Sequence, residues 1–198
     1  MRLILASQSS GRRAMLAAAG VACDAVSPGV DEDAAKLSLR SEGLHARAMA
    51  DALAELKAVK ISGQQPGALV LGCDSVVELQ DGRLLDKAAS REEAAEHLQQ
   101  LSGRRHYLHS AAVIAEDSRP VWRTVDRVTM HTRILSDAFI ASYLDAEWEQ
   151  ARWCVGVYRI EGPGAQLFAR VEGSHFTVIG LPLLPVLDYL RIRGLLTS

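Results

Sequence analysis

Leu3-Ile4-Leu5-Ala6-Ser7-Gln8-Ser9-Ser10-Gly11-Arg12-Arg13-Ala14-Met15-Leu16 is an apolar run, a hydroxyl-rich turn and the start of a helical pattern. It reads as strand, loop and helix, with Ser9 or Ser10 as the N-cap and Gly20 as the stop. Arg12 and Arg13 fall in the first turn, where the helix dipole is already positive, so each costs about 0.3–1 kcal/mol unless an anion sits there. Free backbone N–H groups, two hydroxyls and two guanidinium forks suit phosphate oxygens. The plainer alternative is a capped surface helix with solvated arginines. No G-x-x-x-x-G-K-[ST] occurs and no G-x-G-x-x-G follows the first strand, so neither a P-loop nor a dinucleotide fingerprint is supported.

With 198 residues, 48% hydrophobic and 23% charged, the chain suits one large domain or two closely joined lobes. A net charge of −2 gives no general pull toward nucleic acid, so any phosphate binding is local, which favours a nucleotide over a polymer. Cys23, Cys73 and Cys154 are far apart and set among apolar neighbours, the pattern of reduced buried thiols rather than of a zinc site. The apolar start lacks a signal-peptide layout, and no run reaches the roughly 20 apolar residues of a membrane span, so a cytoplasmic protein without membrane partners is expected.

Along the chain, Val21 to Val26 reads as a second strand, and Asp31-Glu32-Asp33 as the acidic opening of a helix. The apolar spacing from Glu42 to Lys60 predicts a long amphipathic helix, with Lys57 close to its apolar stripe, where lysines usually snorkel to water. Ala68 to Cys73 predicts a buried strand that delivers Asp74 at its end, and Ser75 to Leu79 with Arg83 to Leu85 a hairpin. A carboxylate in that setting is expensive to bury unless it meets a metal, a cation or several donors, and backbone amides alone can also satisfy it. Ser90-Arg91-Glu92-Glu93 is a capping box for a helix to Leu101. From Arg105 to Leu135 the pattern is β, with Val128, Met130 and Ile134 on one face. A helix from Ser136 to Glu147, extended chain over Trp153 to Ile160, strands over Phe168 to Val171 and Phe176 to Ile179, and a helix opened by Pro182 and Pro185 follow. The fold class is α/β, a mixed sheet flanked by helices.

In order, the blocks S-Q-S-S-G-R-R, V-D-E, L-A-E-L-K-A, G-C-D-S-V-V, D-K, L-S-G, I-E-G and I-G-L-P-L resemble the Maf-like nucleotide pyrophosphatases over nearly the whole chain. The resemblance implies one such domain over residues 1–198, an elongated mixed sheet with two lobes around a central cleft, and a homodimer. It further implies hydrolysis of a nucleoside triphosphate to monophosphate and pyrophosphate with a divalent cation, Mg²⁺ or Mn²⁺. It puts Ser7, Ser9, Arg12 and Arg13 on the triphosphate, with Glu32, Lys57, Asp74 and Lys87 completing the catalytic set. On that basis Asp74 is the general base, Glu32 and Asp74 are hard oxygen ligands for the metal, and Lys57 and Lys87 stabilise charge in the transition state.

The first loop is one residue longer than S-x-S-x-R-R and resembles the subgroup known for 7-methylguanosine triphosphate, whose members carry an aromatic residue where this chain has Gly11. Glu161 resembles the same subgroup rather than the thymidine and uridine triphosphate one, and Ser75 stands at another position linked to substrate choice. Two functions follow from the resemblance. One is a pyrophosphatase that clears modified or surplus nucleotides; the other is a nucleotide-binding regulator of cell division that has no need of turnover. The acid and lysine set favours the enzyme.

Overall fold

The first helix starts where the chain makes its own cap: the Ser9 hydroxyl accepts from the Arg12 N–H at 3.3 Å. Residues 2–197 are described in the computed structural model, and the same local logic recurs through it. The strands are β1 (Leu3–Ala6), β2 (Asp24–Ala25), β3 (Leu69–Leu79), β4 (Leu84–Leu85), β5 (Arg105–Glu116), β6 (Arg119–Thr132) and β7 (Phe168–Glu172). The helices are α1 (Ser10–Ala18), α2 (Glu32–Ser41), α3 (Ala46–Ser62), α4 (Arg91–Leu101), α5 (Asp137–Ala151), α6 (His175–Ile179) and α7 (Leu183–Ile192). Asp31 caps α2, Ser90 caps α4 and Ser136 caps α5, each through a side-chain oxygen.

One mixed sheet runs β2-β1-β3-β5-β6-β7, with β4 paired beside β3. Strand β1 is parallel to both β2 and β3, which requires helical crossovers, and α1 supplies the first while α2 and α3 supply the second. The later pairs, β3 with β4 and β6 with β7, are antiparallel. Because the chain leaves β1 to opposite sides, the carboxyl end of β1 is a topological switch point, where doubly wound sheets open a ligand crevice. Ala6 pairs with Gly72, so the hydroxyl turn after β1 emerges level with Cys73 and Asp74.

The residues gather into two compact units, one of 2–75, 110–126 and 180–197, the other of 76–109 and 127–179. Each has its own core. In the first, Ile4, Ala6, Ile61, Ala68 and Val70 pack together, and in the second Leu98, Leu101, Leu108, Val128, Met130 and Tyr143 are among the buried residues. Within the first unit α3 lies unusually close to β3: a Cβ on Gly72 would fall 2.2 Å from the Ala54 carbonyl oxygen and 2.7 Å from the Ala58 nitrogen.

Several expectations are corrected. The helix read from Glu42 begins at Ala46, because Gly43 takes a positive φ of 77° that ends α2, and His45 then recaps the chain for α3. Strand β2 is only Asp24–Ala25 rather than Val21 to Val26. Asp74 sits inside β3 and not at its end, since Ser75, Val76 and Val77 continue the ladder. Strand β6 ends at Thr132, leaving Ile134 83% exposed rather than on the buried face of Val128 and Met130. Trp153 to Ile160 holds a helical turn at Val155–Val157, and Phe176 to Ile179 belongs to α6, a short apolar run that periodicity cannot assign.

His106 is fully buried in the second unit, its Nε2 3.0 Å from the Tyr158 hydroxyl and its ring beside those of Tyr158 and Phe168. Burial, helped by nearby His131, holds its pKa down at about 4 from the ordinary 6.5. The unfolded chain therefore protonates first as pH falls, and stability complete above about 6.5 is lost by roughly 3 kcal/mol toward pH 4. His106→Gln keeps a partner for Tyr158 without a titrating ring, so its denaturation free energy should fall less steeply than wild type between pH 7 and 4; parallel slopes would refute the assignment. Gly72→Ala forces α3 off β3 and should lower stability by about 1–3 kcal/mol in denaturant titration, whereas an unchanged midpoint means that the helix can retreat freely.

Candidate active site

The switch point is built from hydroxyls, a guanidinium and free backbone amides. Ser7 follows β1 and its Oγ accepts from the Ser9 N–H at 3.2 Å, which shapes the turn into α1. The first turn of α1 holds no acidic residue, so the dipole of this helix is unopposed there. Arg12 turns back into the fold. Its Nε donates to the Gly180 carbonyl at 2.8 Å, its Nη1 to the Cys73 carbonyl at 3.2 Å and Ser7 Oγ at 3.3 Å, and its Nη2 to Ser75 Oγ at 3.2 Å. Ser75 Oγ in turn lies 2.8 Å from Ser110 Oγ. Arg13 is exposed, and among the described residues its guanidinium meets no hydrogen-bond or ion-pair partner. The two arginines that look alike in sequence thus have different surroundings.

Beside this turn stands a charged cluster. Lys57 comes from the α3 segment pressed against Gly72, and its Nζ lies 2.6 Å from Asp74 Oδ1 and 2.8 Å from Glu32 Oε1. Far from snorkelling, Lys57 is 4% exposed and Asp74 5%. Glu32 opens α2, where the helix N-terminus favours a carboxylate, and Asp31 secures that end by accepting from the Ala34 N–H at 3.0 Å. One ammonium thus bridges the two carboxylates. Asp74 Oδ2 is buried and finds no hydrogen-bond partner among the described residues, so this oxygen is desolvated and available. Cys73 next to it is no nucleophile, because burial pushes its thiol up to about 11.

The donor chemistry suits a hard divalent cation. Glu32 and Asp74 offer carboxylate oxygens, one of them unsatisfied, and Mg²⁺ is commonly held by one or two carboxylates together with water and substrate phosphates. Among the described residues no group of three or more His, Cys, Asp and Glu side chains can enclose a metal.

The first unit thus brings together Ser7, Ser9, Gly11, Arg12, Arg13, Glu32, Lys57, Asp74 and Ser75, all expected from the sequence. Lys87 and Glu161 belong to the second unit. Glu161 is exposed, and its Oε1 lies 3.5 Å from Arg159 Nε, while Arg159 Nη1 lies 3.4 Å from Glu147 Oε2. Sequence reading missed Arg159, Ser110 and Gly180. The spacing of Arg159 and Glu161 two residues apart was a usable signal; nothing local marks Ser110 or Gly180.

The profile of the family described as Maf-like protein matches residues 2–192. A nucleoside triphosphate pyrophosphatase of Sphingopyxis alaskensis is 54% identical over 195 residues, spanning 98% of this chain and 98% of its own length. One of Caulobacter vibrioides is 52% identical over 193 residues, 98% of this chain and 96% of its own. Among solved structures, a HAM1 protein from Coxiella burnetii overlaps 67% of this chain and 73% of its own at 16% identity, with a TM-score of 0.44. By the span of the family profile and the depth of the full-length identities, the chain belongs to the Maf-like protein family.

Proposed function

We propose that this chain is a nucleoside triphosphate pyrophosphatase that converts its substrate to nucleoside monophosphate and pyrophosphate. Relatives about half identical over the full length bear that name, and the observation that carries the reading is the buried, unsatisfied Oδ2 of Asp74 within the Glu32–Lys57–Asp74 cluster. A desolvated carboxylate oxygen costs about 1–3 kcal/mol or more when left unpaired, a cost that a role as base or metal ligand offsets. In an enzyme it is the poised group.

The chain's own residues divide the work as follows. Lys57 fixes Asp74 through Oδ1, so Oδ2 faces the reaction and accepts a proton from the attacking water. The water oxygen bonds to the α-phosphorus, the bond from that phosphorus to the bridging oxygen breaks, and pyrophosphate leaves with the electron pair. The amides at the start of α1, Gly11 among them, the hydroxyls of Ser7 and Ser9 and the Arg13 guanidinium hold the phosphate chain. Glu32 and Asp74 would hold Mg²⁺ or Mn²⁺, which draws charge from the phosphoryl oxygens when bound. Lys87 enters the proposal by resemblance, as a second cation for the departing pyrophosphate. The three free cysteines support a reducing, cytoplasmic setting, and no helix among the described residues is long and apolar enough to cross a membrane.

For the base, Glu161 supports a guanine-type substrate, in keeping with the 7-methylguanosine triphosphate subgroup, while Ser75 favours neither subgroup. An ionised glutamate only accepts, and guanine offers adjacent N1–H and amino donors, while uracil and thymine flank a single N3–H with carbonyls that a carboxylate repels.

Asp74→Asn keeps the shape and loses the charge, so kcat should fall by more than about tenfold with the melting temperature held near wild type. Products from wild type should be monophosphate and pyrophosphate in equal amounts; nucleoside diphosphate appearing first would overturn the proposal. Glu161→Gln should move preference from guanosine and 7-methylguanosine triphosphates toward uridine and thymidine triphosphates, read as kcat/KM across that panel. An unchanged rank order removes Glu161 from base reading.

A further inference from the structure

The mechanism above leaves the Arg12 guanidinium without a task, although it is among the most heavily bonded side chains of the first unit. Two of its acceptors, the Cys73 carbonyl at 3.2 Å and Ser75 Oγ at 3.2 Å, belong to the residues on either side of Asp74. The others, Ser7 Oγ and the Gly180 carbonyl, come from the turn after β1 and the segment before α7. After these bonds a single Nη2–H is left over. Bidentate grip on a phosphate needs two parallel N–H groups, so Arg12 can hold a phosphate that way only by releasing the fold.

We propose that Arg12 is a positioning residue, a clasp that fixes the backbone on both sides of Asp74 to the first turn of α1, so that Asp74 Oδ2 and the phosphate-binding amides keep one geometry. This rests on the reading of Asp74 as the base. Gly180 supports it independently. Its φ is +110°, and a Cβ there would come 3.1 Å from Arg12 Nη2, 3.2 Å from Nε and 3.2 Å from Ser75 Oγ. Only glycine lets that carbonyl reach Nε, so the acceptor is shaped to the guanidinium. The Ser75–Ser110 contact at 2.8 Å carries the clasp on to β5. Two carbonyl dipoles around Arg12 also offset a cation at the positive end of α1, leaving Arg13 as the arginine whose charge calls for a bound anion.

The test compares Arg12→Gln, Arg12→Lys, Ser75→Ala and Arg13→Gln in the full chain with Mg²⁺. It measures kcat on guanosine triphosphate, the Kd of its non-hydrolysable α,β-methylene analogue, and the melting temperature. A clasp predicts that both Arg12 variants lose more than about tenfold in kcat while analogue Kd stays within about threefold, because lysine restores the charge and not the fork. Ser75→Ala should lose kcat in the same sense to a lesser degree, and Arg13→Gln should weaken analogue binding instead. Should Arg12→Gln fail to fold, Arg12→Lys and Ser75→Ala decide. A tenfold or larger loss of analogue affinity in Arg12→Gln that Arg12→Lys restores would identify a phosphate ligand and overturn the clasp, as would Arg12 variants with wild-type kcat. Asp74→Asn runs alongside: if it stays active, the reading of Asp74 fails, and if it is inactive while Arg12 variants affect binding alone, only the clasp fails.

Discussion

A single buried ammonium holds the charged cluster together. Lys57 lies between Glu32 and Asp74 at hydrogen-bond distance from both, and almost no water reaches it. Removing one partner from a buried ion pair typically costs about 3–5 kcal/mol because the other charge is stranded, and here two carboxylates would be left facing each other. The lysine therefore does more than neutralise. It fixes which oxygen of Asp74 is engaged and which is left over, and that asymmetry is what makes a carboxylate useful as a base or ligand.

That placement depends on backbone geometry with no charge in it. Lys57 reaches Asp74 because α3 approaches β3 to a distance only glycine allows at position 72. The parallel register of β1 and β3 then brings the α1 turn to the same level. Sheet order, a missing side chain and one long lysine combine to set the N-terminus of α1 beside a desolvated acid.

Much of this was legible in the sequence where the determining contacts are local. Ser9, Asp31, Ser90 and Ser136 are caps whose hydrogen bonds span three residues, so the starts of α1, α2, α4 and α5 follow from composition at those points. Burial of Lys57 was not legible, because a lysine near an apolar stripe is ordinarily a snorkelling one, and only Glu32 and Asp74 arriving from elsewhere in the chain change that. The separate surroundings of Arg12 and Arg13 were invisible for the same reason: all the acceptors of Arg12 except Ser7 lie 61 to 168 residues away in sequence. The turn at Gly156 and Val157 was hidden differently. Val157 has a positive φ of 59°, which a β-branched residue rarely adopts, and it is held there with its carbonyl accepting from the Tyr143 hydroxyl at 3.0 Å.

The bond between Arg12 and Gly180 also sets an order of assembly. The first unit is stitched from three separated stretches of chain, and the third contributes an acceptor to a side chain made 168 residues earlier. On a ribosome adding roughly 5–20 residues per second, Arg12 waits about ten seconds or longer before its partner has been synthesised. Throughout that interval the α1 end and the strand bearing Asp74 lack the tie that joins them to Gly180. The geometry around Asp74 therefore cannot be complete in a nascent chain until the third stretch of the first unit has been made.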